Sequence, residues 1–339
     1  MKLACQPITL DLRTTFRIAH GASDQRFNVI SSLADEDWIG YGEAAAVSYH
    51  GETQAGILDY LSGLKNTLAD PEKISDPFLV EEFLNQLPQG SQAAKASLDI
   101  ALHDWIGKKL GQPVYRLLGL EPQNIPETSF TIAMDTPELM AERARESKWP
   151  VIKIKLGSSD DEAIVSAIRN ATDARLRVDA NAGWSRDAAI KIIPRLAEYN
   201  LEFIEQPLPV GDIEGLKWLR SKNLGIPIFA DESVKSSHDV ARHVGAVDGV
   251  VIKLMKTGGI REALRAIHTA RALDMQIMIG CMVESSLGVS AAAHIAPLCD
   301  YADLDGPLLI RNDPFSGIHY DEAKIIISEE PGLGVQLVS

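Results

Sequence analysis

Asp179, Glu205 and Asp231 follow one another at intervals of 26 residues, each near the end of a short apolar run. The runs read LRVDAN (176–181), FIEQP (203–207) and IFADES (228–233). If they are neighbouring strands, the three acids stand at equal heights. Carboxylates so gathered repel one another unless they are protonated or neutralised by a cation. An all-oxygen set on rigid strands suits a hard divalent ion such as Mg²⁺, which keeps water or substrate oxygens in its remaining positions. Taken singly, each acid could as well cap the helix that follows. The repeated interval favours a metal site.

Two lysines extend the pattern. Lys155 lies in VIKIKLG (151–157) and Lys253 in GVVIKLM (249–255). In an eight-stranded barrel these second and sixth strands face each other across the axis, so the two amines approach a central ligand from opposite sides. That suits taking a proton from one face of a carbon and returning it to the other. A metal-bound carboxylate would stabilise the enediolate formed in between. Lys153 shares the inward alternation of Lys155, and its charge is expected to ease proton loss from that neighbour. Asp303 and Asp305, in YADLDG (301–306), face one side of their strand and could receive a cationic substrate group. The bland reading of Asp305-Gly306 is a turn.

The elements that must position these residues repeat. From residue 129 a short apolar run and a helix-type stretch alternate about every 20–30 residues, as β/α units do. SFTIAM (129–134) and QIMIGCM (276–282) complete a set of eight runs. Amphipathic segments lie between them, one starting on a plausible N-cap at Ser185. Eight such units close into a barrel with its functional groups at the strand C-termini. An open doubly wound sheet would carry a Gly-rich phosphate loop after its first strand, and none is present. Gly258-Gly259 reads as a tight turn entering a helix.

Residues 1–125 differ. ACQPITLDL, FNVISSLAD and WIGYGEAAA alternate like antiparallel strands. Helices are expected around 52–68, 77–86 and 91–110, the last strongly amphipathic and stopping at Gly111 before Pro113. The expected organisation is an α+β domain at 1–125, a β/α barrel at 126–312 and a segment, 313–339, returning to the first domain.

Composition bounds the rest. The 339 residues suit one large domain or two of unequal size, and 45% hydrophobic content is enough for a sizeable core. A net charge of -14 argues against nucleic-acid or anionic-membrane partners. Cys5, Cys281 and Cys299 show neither a disulfide framework nor zinc spacing. No apolar run approaches the ~18 residues of a membrane span, and no signal peptide is read. The expected compartment is the cytoplasm. The eight histidines avoid the strand ends, which disfavours a hydrolase with histidine metal ligands.

As an ordered set, K-x-K (153–155), D-A-N (179–181), E-Q-P (205–207), D-E-S (231–233), K-L-M-K-T-G-G (253–259) and D-L-D-G-P (303–307) resemble the enolase superfamily. Within it they are most similar to the dipeptide epimerases of the muconate-lactonizing enzyme subgroup, typified by L-Ala-D/L-Glu epimerase. ALHDWIGKKLGQPVYRLLG (101–119) and PGLGV (331–335) extend the likeness almost end to end. The resemblance implies a modified TIM barrel, (β/α)7β, under an N-terminal α+β capping domain. It implies Mg²⁺ on Asp179, Glu205 and Asp231, and Lys155 and Lys253 as the acid/base pair that inverts the C-terminal α-carbon of a dipeptide. It further implies that Asp303 and Asp305 bind the dipeptide ammonium group, and Lys153 and Thr131 are added as substrate contacts. The alternative is a cycloisomerase or an o-succinylbenzoate synthase-like enzyme of the same subgroup.

Ala-Glu epimerases resemble one another in a basic residue on a loop near the start of the capping domain, which pairs with the glutamate side chain. Here residues 16–26 read FRIAHGASDQR, with no base between Gly21 and Asp24. His20, Ser23, Asp24 and Arg26 are the expected specificity residues, with Arg17 or Arg26 as the only stand-ins for that base. Apolar or cationic dipeptides are therefore expected in preference to Ala-Glu. The expected partner is the small dipeptide itself; assembly with further copies of the chain is left open.

Overall fold

Three antiparallel strands open the chain: β1 (Lys2–Ile18), β2 (Gly21–Ala34) and β3 (Ile39–Ala44), in that order in one sheet. The computed structural model describes residues 1–19, 21–64 and 80–338. Val29, Ser31 and Leu33 of β2 are buried while Ile30, Ser32 and Ala34 are only partly so, the period of two that puts one face of a sheet on a core. Helices α1 (Gln54–Leu64), α2 (Val80–Asn85) and α3 (Gln92–Leu110) follow. The helices expected at 52–68 and 77–86 fall partly on residues 65–79, and His20 stands alone; these lie outside the described residues.

Helix α3 departs from its amphipathic expectation, for it is buried along most of its length and on nearly every side. The reason is its position between two layers. One side packs on β3, where Gly42 allows the approach: a Cβ there would stand 1.8 Å from the Ser97 carbonyl oxygen. The other side meets the helical turn Leu254–Thr257 of the barrel. Its ends are as expected, with the Ser91 hydroxyl accepting from the Ala94 N–H and Gly111 in the left-handed region.

The barrel strands are β4 (Phe130–Ile132), β5 (Val151–Lys155), β6 (Arg175–Asp179), β7 (Leu201–Glu205), β8 (Ile228–Ala230), β9 (Gly249–Lys253), β10 (Gln276–Gly280) and β11 (Tyr301–Asp303). They pair in parallel and in chain order, and a bridge between Thr128 and Ala302 brings the last strand beside the first. All eight expected runs are therefore strands of one nearly closed ring. Ser185 caps the helix Arg186–Ala197, accepting from the Ala188 N–H. Among the described residues the one helix after β11 is the four-residue Gly306–Leu309, so seven full β/α units precede a final barrel strand.

Side chains two residues apart fill successive layers inside the ring. Phe203, Phe229, Val251 and Met278 form a buried cluster, with Tyr301 packed against it. The Arg177 guanidinium sits 5.5 Å from the Phe203 ring centre and 5.0 Å from that of Tyr301. This layer plugs the barrel. The residues two further along each strand form the next layer, toward the C-terminal mouth. Past β11 the chain returns to α3, where the Leu333 N–H donates to Asp104 Oδ1 at 2.9 Å and the Val114 N–H to the Gly332 carbonyl. No helix among the described residues is long and apolar enough to cross a membrane.

Candidate active site

Strand register sets the heights of the polar groups. Lys155 pairs with Asp179, and Asp179 with Glu205. On the opposite wall Lys253 pairs with Gly280, and Gly280 with Asp303. Asp231 follows β8 by one residue. One oxygen from each of Asp179, Glu205 and Asp231 lies within 4.8 Å of the others, and all three side chains are buried. Among the described residues this is the one such cluster of His, Cys, Asp or Glu.

Tight turns just past the strands hold these acids in place. Asn181 and Gln206 both adopt positive φ, 44° and 37°, a conformation that non-glycine residues enter at a cost. The Asn181 N–H donates to Asp179 Oδ1 at 2.8 Å. Gln206 bridges two loops: its Oε1 accepts the N–H groups of Asp231 and Ser233, while its Nε2 donates to the Leu208 carbonyl. The glutamine of E-Q-P thus orients a carboxylate 25 residues away in sequence.

The lysines close on these acids. Lys155 Nζ donates to Asp179 Oδ2 at 2.6 Å and Lys253 Nζ to Asp231 Oδ2 at 2.7 Å. Gly280 leaves room for the second reach, since a Cβ there would stand 3.1 Å from Lys253 Cε. Lys153, one layer deeper, lies 2.7 Å from Glu205, 2.8 Å from Asp303 and 3.3 Å from Asp179. Its charge is thus met by three carboxylates. Lys256, which no strand-end pattern singles out, donates to the Asp231 carboxylate at 2.5 Å and to two main-chain carbonyls, those of Asp231 and Val251.

Burial alone would lower Lys153 and Lys253, but the facing acids outweigh it and hold both pKa values well above the ordinary range. Burial likewise pushes the acids up. Lys155 and Lys153 overcome it at Asp179, and Lys253 and Lys256 overcome it at Asp231, so both fall below the usual carboxylate range. Glu205 goes the other way, raised by burial and by Asp179. Beside the cluster, Asn181 Oδ1 and Glu232 Oε2 are buried without a hydrogen-bond partner. Hard oxygens, no soft donor and unspent acceptors beside them fit a Mg²⁺-type ion.

Strand β11 contributes Asp303, bonded to Ser129 and Lys153, and just beyond it Asp305, which accepts the Thr131 N–H at 2.7 Å. Burial and the Asp303 charge raise Asp305 to about 7. Thr131, Lys155, Lys253, Asp303 and Asp305 line one cavity of about 70 Å³. Its outer wall is apolar, made of Phe16, Ile18, Val47, Tyr49, Met282 and Val283, with Arg26 at the rim. Phe16 and Ile18 of that wall come from the end of β1, and the others from segments outside the named strands.

The β1–β2 hairpin closes over the mouth, with the Met134 N–H donating to the Arg17 carbonyl. Of the expected specificity residues, Arg26 lines the cavity. Ser23 lines an outer groove, and Asp24 accepts from Thr15 at the surface. Arg17 is exposed.

Comparison with known proteins places two family models on the chain. The model described as the mandelate racemase / muconate lactonizing enzyme N-terminal domain matches residues 5–119, and that described as enolase C-terminal domain-like matches residues 136–338. An L-Ala-D/L-Glu epimerase of Bacteroides thetaiotaomicron is 39% identical over all of this chain and 88% of its own length. An L-Ala-D/L-amino acid epimerase of Maribacter is 35% identical over 99% of both chains. A dipeptide epimerase of Enterococcus faecalis, solved with Mg and L-Leu-L-Tyr, is 34% identical, superposes with a TM-score of 0.91 and covers 98% of each chain.

Proposed function

We propose, for a chain that belongs to the mandelate racemase / muconate lactonizing enzyme family of the enolase superfamily, an epimerase that inverts the C-terminal α-carbon of a dipeptide. One observation carries the reading: Lys155 and Lys253 reach a single cavity from β5 and β9, four strands apart in a ring of eight, on either side of a buried carboxylate triad.

Mg²⁺, held by Asp179, Glu205 and Asp231, would supply positive charge beside the substrate carboxylate as the α-proton leaves. Lys155 and Lys253 act one on each face, the first removing the proton and the second returning one, with the roles exchanged in the reverse direction. To act, each amine must release the acid it now holds, Asp179 or Asp231. The D-x-D end of β11 receives the dipeptide ammonium group, which an o-succinylbenzoate synthase or cycloisomerase substrate lacks.

Phe16, Ile18, Met282 and Val283 favour an apolar side chain. Arg26 at the rim disfavours a cationic one by like charge, which narrows the expectation drawn from the sequence. The test is a dipeptide library in D₂O with Mg²⁺, scored by mass increase, and repeated after chelation. Label in apolar dipeptides, lost on chelation and restored by Mg²⁺, is the expected result; a library without label ends the proposal.

A further inference from the structure

The two acids of D-L-D are not equivalent. Asp303 already has a partner on each oxygen: Oδ1 accepts the Ser129 hydroxyl at 2.6 Å and Oδ2 accepts Lys153 Nζ at 2.8 Å. Its charge is compensated. Asp305 holds only neutral partners through Thr131, and among the described residues no lysine or arginine pairs with it. Its charge is the one an arriving ammonium would balance.

Lys153 shows what Asp303 does instead. It stands one layer below the mouth, with Glu205 on one side and Asp303 on the other, at 2.7 and 2.8 Å. Pulled toward Glu205 alone, its ammonium would compete with any cation for that carboxylate. Asp303 draws it the other way and offsets its charge. We infer that Asp303 is a positioning residue of the carboxylate triad, acting through Lys153. This role does not rest on the dipeptide reading above.

The sign follows from Coulomb's law: deleting Asp303's charge leaves Lys153 unopposed beside the triad and weakens a divalent cation there. Changes to groups that orient metal ligands typically cost 10- to 100-fold in affinity. Mg²⁺ would be titrated calorimetrically into substrate-free protein. Asp303→Asn should bind Mg²⁺ roughly tenfold or more weakly, and Asp305→Asn within about twofold of the parent, since its carboxylate touches neither triad nor Lys153.

Adding Lys153→Met to Asp303→Asn should recover most of the loss, because the cycle removes the group through which Asp303 acts. If Asp303→Asn does not fold, Ser129→Ala, which deletes only the anchoring hydroxyl, should weaken Mg²⁺ in the same direction by about 2- to 5-fold. Unchanged Mg²⁺ affinity in Asp303→Asn or in Ser129→Ala overturns the inference. Because the titrations use no substrate, a protein inactive on every dipeptide would sink the epimerase reading and leave the role of Asp303 to be decided by Mg²⁺ alone.

Discussion

Asp305 accepts the main-chain N–H of Thr131 at 2.7 Å, tying the end of the last barrel strand to the first at the cavity wall. The bond fixes one carboxylate oxygen, and in the proposed function the group receives the incoming ammonium. Asp305→Asn keeps the shape and removes the charge. A hydrogen bond to a charged group contributes about 1.5–3 kcal/mol, so KM should rise about 10- to 100-fold with kcat changed far less. N-acetylated dipeptides should be poor substrates of the parent and no worse in the variant. Steady-state kinetics on both substrate forms checks this; an equal loss in both would remove the ammonium from the account.

Arg26 governs the rim. Its guanidinium lies 5.7 Å from the Phe16 ring centre and donates to the Gln25 carbonyl, so its charge is retained near the mouth although burial lowers its pKa. L-Ala-L-Leu should exceed both L-Ala-L-Lys and L-Ala-L-Glu in kcat/KM by about tenfold, the scale on which a mismatched side chain is discriminated. Arg26→Leu should raise kcat/KM for L-Ala-L-Lys. The contrary result is a parent enzyme that prefers L-Ala-L-Glu and loses that preference in Arg26→Leu, which would make Arg26 the glutamate partner.

Glu284 gives the fold a pH dependence. Its carboxylate accepts the Met282 N–H at 2.7 Å, and burial, then the charge of Glu43, pushes its pKa up to about 8. The folded protein therefore keeps a proton that the unfolded chain releases near 4.5, so this group's contribution to stability falls as pH rises from about 4.5 to about 8. A tenfold change in proton affinity is worth about 1.4 kcal/mol, so the full effect is a few kcal/mol at most. Glu284→Gln should unfold at higher denaturant than the parent at pH 8, by about 1–3 kcal/mol, with the gap closing toward pH 5. Parallel stability curves for the two proteins would refute the buried proton.

The eight strands and the three matched carboxylates were legible because a β/α repeat writes its period into the chain, and register then fixes the heights of Asp179 and Glu205. The opposition of Lys155 and Lys253 followed from strand count alone. Other features depend on contacts that no local pattern carries. Gln206 reaches Asp231 across two loops, Lys256 saturates its donors on Asp231 and Val251, and Lys153 spends its charge on three acids. Helix α3 looked two-sided because its sequence mixes polar and apolar residues. Asp99 and Asp104 are nonetheless buried, Asp99 accepting the Arg261 N–H and Asp104 those of Tyr41 and Leu333.

Two lysines serving opposite faces of one carbon would be separated by isotope exchange in single variants. Lys155→Ala and Lys253→Ala would each be incubated in D₂O with Mg²⁺ and, separately, with L-Ala-L-Leu and L-Ala-D-Leu. Both variants should lose epimerisation by at least about 10²-fold, the scale of a missing general acid or base. Each should still exchange the α-proton of one stereoisomer, and the two variants should choose opposite ones, because the remaining amine reaches only its own face. Epimerisation at the parental rate in either variant, or exchange of the same stereoisomer by both, would contradict the two-base assignment.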